Sequence, residues 1–224
     1  MNSSTALPAT DIEAFVTRWR GSTASELSTA QSFTIELCEL LGVPRPHATA
    51  EQDYMFERPL TLMHGDGTSS ARRIDCYRRG CFVLESKKLD PGAQAATTGR
   101  TRKSFDNALL QALSQAEGYV RALPAAEGRP PFIAVVDVGH VIELYAEFSR
   151  SGGAYTPYPD VRTHRIRLDD LHRPEIRERL RALWLDPMSL DPSRVSARVT
   201  RAVSAELAEL ARSLEQAGHP AEQV

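Results

Sequence analysis

Hydrophobic residues near the N-terminus recur every three or four positions, which is the spacing of one face of an α-helix. They predict a helix over Asp11–Arg20 and a second helix from about Ala24 to Leu41. Gly42 and the Pro44-Arg45-Pro46 segment that follows it end the second helix. The N-terminal section is therefore expected to be helical.

The pattern then changes from helical to extended. Three strands are predicted, with turns at Gly65-Asp66-Gly67 and Arg79-Gly80 between them: about Arg58–His64, Arg72–Arg78 and Cys81–Lys87. Tight turns join antiparallel neighbours, so these three strands are expected to form a β-meander.

The middle of the chain returns to a helix and then to strands. Residues 90–101 are predicted to be a mobile loop before a helix that Ser104 caps and that runs to about Leu123. A continuous apolar run, Phe132–Val138, predicts a strand buried on both faces, and Val141–Phe148 predicts another. This order of elements indicates an α/β fold, with a mixed sheet flanked by helices.

The C-terminal section is expected to be helical. A short helix is predicted over Pro174–Leu183 and a long one over Ser193–Ala217, where an apolar stripe runs along the helix. Such a stripe needs a packing partner, which is the preceding domain, a second copy of the chain or a domain outside it.

Composition is ordinary for a soluble globular protein, with 224 residues of which 42% are hydrophobic and 25% charged. No apolar run reaches the length of a membrane span, and the N-terminus lacks the basic and apolar regions of a signal peptide. The three cysteines argue against a disulfide framework. A cytoplasmic protein is expected.

Charge is distributed unevenly along the chain. The net charge is −2, but the segment from Ala71 to Lys103 holds nine basic residues and only three acidic ones. A basic segment of this kind suits a substrate with a phosphate backbone. The alternative is an ordinary solvated hairpin.

Three charged residues of the meander point to a specific chemistry. Side chains alternate along a strand, so Glu85 and Lys87 project to one side, opposite Ser86. The turn at Arg79-Gly80 brings Asp75, on the preceding strand, beside Glu85. Two carboxylates hold Mg²⁺ while leaving positions for water and phosphate, as metal-assisted hydrolysis of a phosphodiester requires. The alternative is that all three are charged residues at solvated strand ends.

The spacing Asp75-x9-Glu85-x-Lys87 on an α-β-β-β-α-β core resembles the PD-(D/E)xK nuclease superfamily. On the following helix, Gln111 and Gln115-Ala-Glu-Gly-Tyr119 resemble the Gln-x-x-x-Tyr element of some members. A closer resemblance, to the N-terminal region of MmeI-like (type IIG/IIL) restriction–modification enzymes, extends from about residue 10 to the end. It rests on five segments: Gln31–Pro46, Phe56–Pro59, His64–Gly67, Glu143–Tyr145 and Trp184–Arg194.

This resemblance implies a site-specific, Mg²⁺-dependent DNA endonuclease, the cleavage part of a bifunctional restriction enzyme and adenine DNA methyltransferase in phage defence. Residues 1–185 would be the PD-(D/E)xK nuclease domain and residues 186–224 the start of a helical connector. The chain contains no Phe-x-Gly-x-Gly or Asn-Pro-Pro-Tyr sequence. S-adenosylmethionine would therefore bind only to methyltransferase domains outside this chain. The expected partners are double-stranded DNA, those downstream domains with their target-recognition domain, and a second copy for double-strand cleavage.

Roles for individual residues follow from the resemblance. Asp75, Glu85 and the backbone of Ser86 would bind the metal, and Lys87 would orient or deprotonate the attacking water. Glu26 is either an auxiliary metal ligand or a first-turn carboxylate favoured by the helix dipole. The predicted DNA contacts, of which the last two are alternatively packing residues, are Lys88, Arg100, Arg102, Lys103, Gln115 and Tyr119.

Two other classes of function remain open at this point. One is a DNA- or protein-binding module that has the same fold but no turnover. The other is a repair or junction-cutting nuclease. Two carboxylates beside a phosphate site favour an enzyme, because a protein that only binds phosphate has no need of them.

Overall fold

The structure of the protein, a computed structural model, describes residues 9–20, 26–47, 53–87 and 100–216. The chain falls into two compact units, Met1–Pro187 and Met188–Val224. The second unit contains the long helix α5 (Pro192–Gln216). The helices described in the first unit are α1 (Ala9–Arg20), α2 (Glu26–Leu41), α3 (Arg100–Ala122) and α4 (Pro174–Leu185).

Within the described residues, seven strands of the first unit form one sheet in the order β1-β2-β3-β4-β5-β6, and β7 also pairs with β5. All pairs are antiparallel except that of β3 with β4. The predicted α/β fold with a mixed sheet is therefore confirmed. The strands are β1 (Tyr54–Met63), β2 (Ser69–Arg78), β3 (Phe82–Lys87), β4 (Phe132–Asp137), β5 (Val141–Ala146), β6 (Thr156–Pro157) and β7 (Arg165–Arg167).

Helices cover both faces of the sheet. Val83 of β3 and Val135 of β4 pack against Leu109 of α3 in one buried cluster. Because side chains alternate along a strand, Phe82 points to the other face, where its ring lies 4.7 Å from that of Trp184 in α4. β4 is buried along its whole length, as the continuous apolar run predicts. The predicted site residues of β3 therefore lie on a buried strand inside the sheet.

Three details differ from the sequence predictions. β1 begins at Tyr54 rather than Arg58, because Tyr54 already pairs with Arg78 in the β1–β2 ladder. α3 begins at Arg100, so Ser104 lies inside the helix and is not its cap. No glycine or proline lies between Arg100 and Ser104, so the helix can begin before the serine. The sequence does not predict β6 or β7, because two and three residues are too few to show alternation.

Two predictions from composition can be compared with the structure. No helix among the described residues is both long and apolar enough to cross a membrane. Cys38, Cys76 and Cys81 are free, and burial raises the thiol pKa of each. Of the predicted mobile loop, residues 90–99 lie outside the described residues, and residues 100 and 101 are helical.

Candidate active site

The candidate site lies where β2 and β3 diverge. The described ladder between these strands ends at the pair Cys76–Leu84. Beyond this pair, a side chain replaces the backbone as the hydrogen-bond acceptor. The Asp75 Oδ2 accepts hydrogen bonds from the backbone N–H and the hydroxyl of Ser86, at 2.7 and 2.6 Å. The side chain thus satisfies a backbone donor that the diverging strand no longer reaches, and this fixes Asp75 beside β3.

Glu85 and Lys87 lie on the same face of β3, as alternation predicts. Glu85 is only 1% exposed, and the Lys87 ammonium lies 3.0 Å from its Oε1. The Gln115 amide, on α3, donates to the same Oε1 at 2.5 Å and to the Tyr119 hydroxyl at 2.6 Å. A buried carboxylate needs such donors, because loss of water disfavours its charged form.

Asp75, Glu85 and Lys87 line one cavity of about 270 Å³, together with Ser86 and Gln115. The structure therefore brings the three predicted catalytic side chains to one place. The remaining walls of the cavity come from α2 and from the neighbouring strands, through Ala30, Gln31, Thr34, Phe56, Glu57, Cys76 and Leu84.

Glu57 is a third carboxylate of this cavity, and the sequence analysis assigns it no role. Its φ of 51° lies in the left-handed region, which a glutamate seldom adopts. Burial and the charge of Asp75 raise the pKa of Glu57, and Arg73 opposes this rise. The sequence signal for Glu57 is weak, since it appears only inside the Phe56–Pro59 segment of the family resemblance.

The oxygen donors of the cavity suit a hard cation in chemical type, since carboxylates and backbone carbonyls are the ligands Mg²⁺ prefers. In the part of the chain that the structure describes, no three His, Cys, Asp or Glu side chains form a metal-binding group. Asp75 and Glu85 both line the cavity, and they are the two carboxylates that could hold such a cation. Backbone oxygen, water or phosphate would supply the other positions.

Among the other predicted site residues, the structure describes the side chains of Lys103 and Tyr119. Lys103 is exposed on α3, whereas Tyr119 is 3% exposed. Burial and the charge of Glu85 raise the pKa of Tyr119. Lys88 lies outside the described residues. Three predicted residues are helical, but their side chains are not among those described: Glu26, Arg100 and Arg102.

Gln115 and Tyr119 share a helical face, as their spacing indicates, and the amide of Gln115 donates to Glu85 and to the Tyr119 hydroxyl. Asp137, at the end of β4, is fully buried and lies opposite Lys87 in the parallel β3–β4 register. Its Oδ2 is 3.6 Å from Nδ1 of His140. A buried carboxylate needs partners of this kind, because it has lost its contact with water.

Together the fold and the site define an α/β protein with paired carboxylates and a lysine in one cavity at the divergence of two strands. A family model described as MmeI, N-terminal domain, matches residues 8–217. The chain belongs to this family of restriction–modification enzymes, so the resemblance seen in the sequence is confirmed. No curated protein and no solved structure matches the chain in the corresponding comparisons.

Proposed function

We propose that the chain is a Mg²⁺-dependent DNA endonuclease domain of the PD-(D/E)xK kind, the cleavage part of a restriction–modification enzyme. The observation that carries the proposal is the cavity shared by Asp75, Glu85 and Lys87, in a chain of the MmeI N-terminal family. Small-molecule pockets usually have volumes of about 300–1,000 Å³. A cavity just below this range takes a phosphate group with its ion and water, while the rest of the DNA lies outside.

Each residue then has a role that its contacts support. Asp75, Glu85 and the backbone oxygen of Ser86 would hold the Mg²⁺. When bound, the ion polarises a phosphate oxygen and lowers the pKa of a coordinated water. Lys87, held beside Glu85 by its ion pair, would orient the attacking water and offset the charge that develops on the phosphate. Gln115 would fix the Glu85 carboxylate from α3.

The proposed substrate is double-stranded DNA. Lys88, Arg100, Arg102 and Lys103 would contact its backbone, because basic side chains position DNA through its phosphates. Target recognition and methylation would belong to domains outside this chain, and double-strand cleavage would require a second copy. S-adenosylmethionine would accordingly have no site on this chain.

A DNA- or protein-binding module without turnover is the second candidate. One observation favours it: each carboxylate of the pair already has partners within the protein. Asp75 receives two hydrogen bonds from Ser86, and Glu85 receives an ion pair from Lys87. These contacts would stabilise the strands even in a protein that never binds a metal.

Cleavage of supercoiled plasmid in Mg²⁺ and in Mn²⁺ tests the proposal. Asp75→Asn and Glu85→Gln should abolish nicking, because each removes a metal ligand. Lys87→Ala should slow nicking by about 100-fold or more, the usual contribution of a positioned acid or base. Glu206→Gln, which neutralises an exposed carboxylate on α5, is the matched control and should cleave like the wild type.

Binding of Mn²⁺ measured by calorimetry separates the two candidates. A metal-dependent enzyme should lose Mn²⁺ binding in Asp75→Asn while keeping its melting temperature within a few degrees. Full nicking activity in both carboxylate variants would refute the assignment of the site. A folded wild type that binds DNA, but neither binds Mn²⁺ nor nicks the plasmid, would favour the binding module.

A further inference from the structure

The outer part of β1 and β2 forms a two-stranded ribbon, which we define as Arg58–Met63 paired with Ser69–Ile74. β2 pairs with β1 from Ser69 to Arg78. In the described part of the sheet, it pairs with β3 only from Cys76 onward. The ribbon therefore extends past the point where β2 and β3 diverge, which is also where the cavity lies.

The two faces of the ribbon have different surroundings. Leu60 and Leu62 are partly buried against the core cluster that includes α3. On the other face Met63 is 73% exposed. Arg72 lies opposite Leu60 in the register, and Arg73 lies opposite Pro59, so the two arginines project to opposite faces.

Both arginines are exposed, and the nearest effects of their charges are weak ones, of Arg73 on Glu57 and of Arg72 on Tyr119. Neither guanidinium makes a hydrogen bond or an ion pair with the described residues, whereas Arg58 pairs with Glu127 and Arg79 with Asp53. Together they border an open groove that Pro59, Leu60, Thr61, Ala71 and Tyr119 complete. The ribbon therefore presents positive charge on both of its faces, and this charge is complementary to a polyanion.

The ribbon is braced at its base and at its tip. At the base, the Tyr77 hydroxyl donates to Glu127 Oε2 at 2.8 Å, and Arg58 pairs with the other oxygen of Glu127. At the tip, Asp66 Oδ1 accepts from the backbone N–H and the hydroxyl of Thr68, at 2.9 and 2.7 Å. A braced arm loses little conformational entropy when it binds a partner.

We propose that this ribbon is a DNA-binding arm, in which Arg72 and Arg73 contact phosphates of the double helix next to the cavity. The inference rests on the proposed endonuclease function and names the surface that brings the backbone to the site. Arg73 precedes Asp75 by two residues on β2, which is about 7 Å along a strand. The phosphates contacted by the arm are therefore neighbours of the one that enters the cavity.

Salt-dependent DNA binding by the full chain tests the arm. The probe is a short fluorescent duplex of arbitrary sequence, titrated without divalent metal between about 50 and 200 mM salt, the range in which phosphate contacts lose most affinity. Each arginine should contribute about 0.9 to the slope of log K against log salt. Arg72→Gln and Arg73→Gln should each weaken binding by about tenfold, the cost of one charge-assisted hydrogen bond.

Two control variants keep the test specific. Arg72→Lys with Arg73→Lys keeps both charges and should retain the wild-type salt slope. Arg162→Gln removes an exposed arginine from the connection between β6 and β7, near the opposite edge of the sheet, and should bind like the wild type. Thermal unfolding of each variant confirms that the fold is intact.

The double glutamine variant decides the outcome. A slope reduced by about 1.8, with weakening that is equal on unrelated sequences, supports the arm. An unchanged affinity, weakening without a change in slope, or a wild type that does not bind the duplex would overturn it. Plasmid nicking tests the proposed function separately. If the wild type cleaves the plasmid and the double glutamine variant keeps the wild-type salt slope, only the arm is refuted. A reduced slope in the variant, together with a wild type that neither binds Mn²⁺ nor cleaves the plasmid, refutes the nuclease alone.

Discussion

At the level of single residues, Gln115 has a key position in the candidate site. Its one amide nitrogen reaches both the buried Glu85 carboxylate and the Tyr119 hydroxyl. The carboxylate of a glutamate that lines a cavity can rotate unless hydrogen bonds to its oxygens fix its orientation. Gln115 therefore orients Glu85, and it does so from a helix that the sheet itself positions.

Under the proposed nuclease function, Gln115→Leu is expected to lower plasmid cleavage by about 10- to 100-fold, the usual cost of removing a partner that orients a metal ligand. The concentration of Mg²⁺ needed for half-maximal cleavage should rise, while the melting temperature should change little. Gln111→Leu, at an exposed position one turn earlier on α3, is the control and should behave like the wild type. An unchanged Mg²⁺ requirement in Gln115→Leu would contradict the orienting role.

Glu57 illustrates why part of the site could not be predicted at the residue level. Glu85 and Lys87 are separated by one residue, so the alternation of a strand places them on one face without further information. Glu57 reaches the same cavity through a left-handed backbone conformation. Glycine or asparagine usually marks such a conformation, and a glutamate gives no such signal.

At the level of secondary structure, the sequence predicts well those elements in which hydrophobic residues form a continuous run or a regular helical spacing. The apolar run over Phe132–Val138 contains the fully buried strand β4 (Phe132–Asp137), and the helical spacing in Asp11–Arg20 lies within α1 (Ala9–Arg20). The start of α3 could not be predicted, because Ser104 has the properties of a cap but nothing before it stops the helix. β6 and β7 are held by pairing with β5, a tertiary contact that leaves no periodic signal in such short segments.

The loop after β5 depends on one carboxylate. Glu147 accepts hydrogen bonds from the backbone N–H groups of Ser149 at 2.8 Å and Gly152 at 3.1 Å. Burial alone would raise the pKa of Glu147, but these hydrogen bonds, with others from the Ser149 hydroxyl and the Ser151 backbone, lower it below the ordinary value of 4.5. The ionised form of Glu147 therefore stabilises the loop.

Glu147→Gln is expected to destabilise the protein at neutral pH and to have little effect in acid. A lowered folded-state pKa means that the carboxylate contributes stability above its unfolded pKa of 4.5 and loses it as pH falls through the folded-state value. Denaturant midpoints of wild type and variant, measured from about pH 7 to about pH 3, should therefore converge at low pH. A difference that stays constant over this range would contradict the role of Glu147.

At the level of the whole molecule, Tyr54 joins parts of the first unit that are far apart in the sequence. Its hydroxyl accepts a hydrogen bond from the Trp184 indole at 2.8 Å and lies 3.3 Å from the Cys38 sulfur. Burial raises the pKa of Tyr54 well above its ordinary value, so the hydroxyl stays protonated. One buried oxygen thus links β1, α2 and α4.

Tyr54→Phe is expected to lower the free energy of unfolding by about 1–3 kcal/mol, because the buried indole N–H of Trp184 loses its acceptor. Urea denaturation of Tyr54→Phe, Trp184→Phe and the double variant would measure this coupling. The two effects should be less than additive, as expected for residues in contact. Additive effects would show that the hydrogen bond contributes little.

The position of Trp184 also affects how the protein is made. β1, β2 and β3 are consecutive in the chain, so the meander can form soon after it leaves the ribosome. The contact between Phe82 and Trp184 can form only after Trp184, near the end of the first unit, has been synthesised. α2, which precedes β3 in the chain, already contacts β3, so we expect a nascent chain to expose only the part of this apolar face that α4 covers later, and such surfaces favour aggregation. We therefore expect the first unit to reach its final packing only after its last helix has been made.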